Sequence, residues 1–138
     1  MIRFLDTALI YLRRRNAQVW ITLINTFLVC VIFGFGMALK AAPHSFESPY
    51  FERFREIGTQ DRWSYACFAV AMVGVVGIVA RSRLGNLAPL FIVATFHGTL
   101  AVLFWQSLAY GEHMTTGVAT YSCVAILGYI LFALRATE

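Results

Sequence analysis

Charge is what this sequence has least of. Only 13% of its 138 residues are charged, about half the roughly 25% of an ordinary soluble domain. That leaves too little polar surface to coat a globule in water. Mean hydropathy is +0.70 and 59% of residues are hydrophobic, so the class is a membrane protein and the length suits one domain. Cysteine and proline occur three times each. Cys30, Cys67 and Cys123 fall in apolar blocks without a CxxC pair, which reads as small buried hydrophobes rather than a redox or zinc framework. GxSxG, HExxH and P-loop motifs are missing, and no apolar block holds a carboxylate, lysine or arginine in its interior. These absences argue against an enzyme and against a charge-coupled carrier, and they imply neither a cofactor nor a metal. The surplus of +4 lies beside apolar blocks, where it sets topology or touches lipid headgroups rather than nucleic acid.

What is there is four long apolar blocks. A helix crosses a bilayer with about 20 such residues. The blocks run from about 18 to 39, 63 to 80, 87 to 109 and 114 to 134. The expected fold is therefore an all-α integral membrane protein, a four-transmembrane-helix bundle over residues 1–138. The first block exceeds the ~7–15 residue core of a signal peptide, and "GMALKAAPHS" offers no small-residue cleavage pattern, so it reads as a retained span.

Arg13, Arg14 and Arg15 before the first block and Arg81 and Arg83 between the second and third place these segments at the cytoplasmic face. The expected address is a bacterial inner membrane with both termini inside. The loop after the first span dissents with Lys40, Arg53, Arg55 and Arg62, but Glu47, Glu52, Glu56 and Asp61 balance them. Trp20, Trp63, Tyr65 and Tyr110 stand near span edges, as interfacial aromatics do.

Helices in lipid associate through small residues and polar contacts. The second span offers Cys67, Ala71, Gly74 and Gly77. The fourth offers Gly117 and Gly128 on a face with Tyr121 and Val124. Either stripe suits contacts within one bundle or between subunits. Thr22 and Asn25 share a face of the first span with Gln18. Thr95, Thr99 and Gln106 share one of the third, and both faces are expected to turn inward or toward a partner. His97, near the middle of the third span, is the sharpest functional candidate, because an ionisable group at that depth is costly. A neutral His97 bonded to Asn25 or a nearby threonine is the simplest reading. Proton passage or ligation of a haem or metal are the others.

Two amphipathic stretches flank the first span. In "MIRFLDTALIYLRRR", Ile2, Leu5, Leu9 and Leu12 share one helical face, favouring a helix lying on the inner leaflet over an extension of the first span. "SPYFERFREIG" carries helix punctuation: Ser48 as cap, Pro49 in the first turn and Gly58 as stop. Its expected helix, about 49 to 57, sits in the outer loop. Tyr50, Phe51, Phe54 and Ile57 form either a lid on the bundle or a docking surface.

The pattern of Ser48-Pro49, Gly58, Trp63 and Gly74, then Arg83-Leu84-Gly85, then Thr116-Gly117 and Tyr121, resembles small four-span membrane proteins encoded by bacteriophages. That resemblance covers the last two thirds of the chain and brings no catalytic residue with it. It implies roles such as holin-like lysis or exclusion of competing phages. The expected function is non-catalytic: assembly in the bilayer as a homo-oligomer, as an accessory or inhibitory subunit of a larger membrane complex, or as a small channel using His97.

Overall fold

A computed structural model describes residues 2–42, 44–80, 83–107 and 115–136, all of them helical or in short connections. Helix α1 (Ile2–Ala41) leads through two 3₁₀ turns, Ser45–Glu47 and Pro49–Phe51, into the short α2 (Glu52–Ile57). Then follow α3 (Gln60–Val79), α4 (Arg83–Ser107) and α5 (Thr115–Ala136). Three apolar stretches, Val19–Ala41, Gln60–Val79 and Gly85–Ser107, are long enough to cross a membrane, and the chain is a membrane protein on that ground. α5 carries a shorter apolar stretch, Thr120–Leu134.

The N-terminal segment is not a separate in-plane helix. α1 runs unbroken for 40 residues, about 60 Å at ~1.5 Å per residue. No glycine or proline interrupts it before Gly34, so nothing in the sequence bends the segment away from the span.

Consecutive long helices pack antiparallel, and glycines set how closely. A Cβ on Gly36 would lie 2.9 Å from Cβ of Cys67, and one on Gly74 would overlap Val29. A Cβ on Gly77 would meet Pro89 at 2.6 Å, and one on Gly128 would meet Ala94 at 2.6 Å. Cys67, Ala71, Gly74 and Gly77 are thus all buried against α1 and α4, inside a single chain. Gly117 lies in the first turn of α5.

The core divides by chemistry along the bundle. Near the N-terminal side of the spans it is aliphatic: Ile21, Leu28, Leu90, Val93, Val124 and Leu131. Toward the other end it becomes aromatic, and that end is closed by the 3₁₀ turns and α2. Ser48 does not cap with its side chain; its carbonyl accepts from Phe51 N–H at 3.0 Å. Gly58 ends α2 in extended backbone, its N–H bonded to Phe54 O at 3.0 Å. Thr59 then caps α3, its hydroxyl accepting from Arg62 N–H.

Candidate functional site

The aromatic end is a plug. Phe54 is fully buried, its ring centroid 5.1 Å from that of Trp63 and 4.9 Å from that of Phe104. Phe51 stacks on Phe46 and Phe35 and meets Phe104 edge-on. Trp63, in the first turn of α3, points inward and donates Nε1–H to Phe54 O at 2.9 Å. Of the two roles expected for Tyr50, Phe51, Phe54 and Ile57, lid or docking surface, their packing is mostly that of a lid. Phe54 and Phe51 face the chain's own core, Tyr50 is half-buried, and Ile57 alone stands out, 62% exposed. The physical reason is the Trp63 contact: it rolls α2 so that its aromatic face meets α3 and α4.

The lid's polar groups tie it down. Gln60 donates through Nε2 to Leu39 O and to Ala42 O, satisfying carbonyls that the end of α1 leaves open. Ser64 donates to Gly36 O at 2.9 Å. Outside, Arg53 pairs with Glu56 at 2.6 Å and Lys40 with Asp61 at 2.7 Å, while Arg55 donates to Glu47 O.

Beneath the plug lies His97, fully buried on α4. It does not bond Asn25 or a threonine. Its Nδ1 is 2.8 Å from Val93 O. A carbonyl only accepts, so Nδ1 carries the proton and donates. Nε2 is sealed and has no hydrogen-bond partner among the described residues. Its ring lies 6.1 Å from Tyr121, which stacks on Phe104. In the neutral imidazole Nε2 is a lone pair inside an apolar pocket.

Asn25 lies elsewhere, toward the N-terminal side. It is buried, its Oδ1 is equally without a donor, and it borders a cavity of about 160 Å³ with Thr22, Gly77, Ala80 and Asn86. Leu28, Val29, Val93 and Ala94, all buried, stand between the two positions. No polar chain among the described residues links them. The register explains the separation: Asn86, Leu90, Val93 and His97 follow one face of α4, so the cavity meets that face at Asn86 and Leu90, well below His97.

The second polar face does not turn inward. Thr95, Thr99 and Gln106 are exposed on α4. Thr99 donates back to Thr95 O at 3.0 Å, and the Thr95 hydroxyl is 3.1 Å from that of Tyr129. With Phe91, Ile92 and Phe96 the two threonines line a shallow groove of about 280 Å³. Arg13, Arg14, Arg15 and Arg83 lie on described helical backbone, while Arg81 lies outside the described residues. No three histidine, cysteine or acidic side chains converge among the described residues.

Two features could not be read from the sequence. Pro89 sits inside α4 as the partner of Gly77, and Gln60 acts at a distance as the cap of α1. "LAPLF" signalled the proline, though not its use. No protein-family model, curated protein or solved structure matches this chain.

Proposed function

We propose that the chain is a non-catalytic, four-span protein of a bacterial inner membrane, both termini inside, that works by lateral helix assembly in the bilayer. In its most concrete form it is a phage-type, holin-like or host-membrane-modifying protein. The fourth span is α5, whose 22 residues are enough for a crossing. The observation that carries the assembly reading is the outward polar face of α4. Thr95, Thr99 and Gln106 face the surroundings, and polar side chains on the outside of a membrane bundle favour another helix over lipid. The small residues Cys67, Ala71, Gly74, Gly77 and Gly128 are used within the subunit, which leaves the α4 face as the candidate contact. The His97 channel reading lacks a polar route from Asn25 and recedes.

Controlled expression tests this. A holin-like protein collapses the membrane potential abruptly after a delay, and Thr95→Val with Thr99→Val postpones or abolishes the collapse. Harmless expression, with one large membrane partner co-purifying in mild detergent, would replace it by the accessory-subunit reading. Reporter fusions check the topology: termini read inside, and an insertion at Glu47 reads outside.

A further inference from the structure

The end of the bundle away from the plug carries a site of its own. The cavity of about 160 Å³ is built by three helices: Thr22 and Asn25 come from α1, Gly77, Ile78 and Ala80 from the close of α3, and Asn86 from α4. These positions stand at the limits of the apolar stretches. Thr22 follows soon after Val19, Ala80 directly after Val79, and Asn86 directly after Gly85. In a bilayer that depth borders the lipid headgroups.

The lining is weighted toward acceptors. Asn25 is only 8% exposed, and its Oδ1 has no donor among the described residues. Val76 O is taken by Ala80 N–H at 2.9 Å, where α3 ends. The carbonyls of Gly77 and Ile78 come after it, at the terminus where a helix runs out of its own donors and carries its negative pole. Gly77 has only backbone to offer. No acidic side chain is among the described residues that line the cavity. Neutral oxygens suit a single positive charge better than a divalent metal, which wants carboxylates. A buried acceptor without a donor further asks that the cation bring N–H groups, as a primary ammonium does.

The opposite polarity stands close by. α4 begins at Arg83, and a helix N-terminus attracts anions. The two ends are in contact: a Cβ on Gly77 would lie 3.8 Å from Gly85 O. A negative pole beside a positive one matches a zwitterion. We propose that this cavity binds the headgroup of an ethanolamine phospholipid. Its ammonium donates to Asn25 Oδ1 and to the last carbonyls of α3, and its phosphate lies toward the start of α4. A choline headgroup has the same charges but no N–H, so it leaves Asn25 Oδ1 without a donor. One copy of the chain suffices for this site, which therefore stands or falls apart from the assembly reading.

Native mass spectrometry tests it. The protein is released from micelles holding equal amounts of dioleoyl phosphatidylethanolamine and dioleoyl phosphatidylcholine, and the retained lipid is counted. The expected result is one retained ethanolamine lipid, favoured over choline by at least about fivefold, a hydrogen bond's worth. Asn25→Leu keeps the side-chain volume, removes the acceptor and is expected to bring the ratio to about one. Asn25→Ala is a second variant with the same expectation, and an unfolding midpoint matching the parent's in choline lipid confirms that a variant is folded. Equal retention of both lipids by the parent would overturn the proposal, as would a preference that survives in the folded Asn25 variants. Retention of neither lipid would overturn it too. If millimolar ethanolamine, and not choline, then raised the parent's unfolding midpoint, the cavity would belong to a soluble amine instead.

Discussion

At the scale of single residues, glycines decide how near the helices come. A methyl at Gly128 would meet Cβ of Ala94 at 2.6 Å, closer than real Cβ atoms approach. A methyl at Gly34 meets nothing within 4 Å. Gly128→Ala is expected to cost about 1–3 kcal/mol through overpacking, and Gly34→Ala to be neutral or slightly stabilising, since alanine is the better helix former. Unfolding in mixed micelles followed by circular dichroism would show the difference; equal midpoints would mean that α4 and α5 shift apart freely. His97 gives a second test. Its Nε2 is sealed without a partner, so His97→Leu removes an unsatisfied group whose burial costs about 1–3 kcal/mol. The variant is expected to be at least as stable as the parent. A loss of more than about 1 kcal/mol would mean that Nε2 holds a water or ligand.

At the scale of elements, α2 is six residues long, too short to hold itself together in water. Packing makes it a helix. Phe54→Ala removes a ring enclosed by Trp63 and Phe104 and is expected to cost about 3–5 kcal/mol. Ile57→Ser, on the outer side of the same helix, is expected to stay within about 0.5 kcal/mol. Protease sensitivity of the loop, read beside the unfolding midpoint, would check both; equal effects would mean that the lid is not seated. The sequence made this helix legible through Pro49, Gly58 and its aromatic spacing. It left its facing open, because Tyr50, Phe51 and Phe54 suit a lid and a docking surface equally. Trp63 settles the matter, and its inward turn depends on a hydrogen bond to Phe54 O across nine residues of chain. The polar face of α4, expected to turn inward or toward a partner, faces outward for a related reason. Thr95 and Thr99 satisfy their hydroxyls on Tyr129 and on their own helix, so they need no interior partner.

At the scale of the whole molecule, hydropathy alone exposed four apolar blocks, and the small-residue spacing of Cys67, Ala71, Gly74 and Gly77 marked a packing face. What it could not reveal is depth matching across helices. Asn25 lies nearer the start of its apolar stretch than His97 does of its own, so Leu28 and Val93, which share one core cluster, fall at the level between them. Thr22, Asn25 and Asn86 consequently border a cavity at one end rather than a polar thread through the middle. A tryptophan-free probe of that cavity is simple: Ala80→Cys should react with a small water-soluble maleimide from the N-terminal side of the membrane. Labelling only from the opposite side would overturn the placement of the cavity on the N-terminal side.

The length of α1 has one more consequence. A 40-residue helix is a rod that begins well before its apolar stretch, Val19–Ala41, and ends at the lid. Its far end is gripped by Gln60 at Leu39 O and by Ser64 at Gly36 O. Phe35, on the same helix, meets Phe51, Phe104 and Tyr121, so α1 and the aromatic plug are packed as one body. A change that tilts α1 would therefore have to unseat the lid as well, and the lid's stability is tied to the longest helix of the chain.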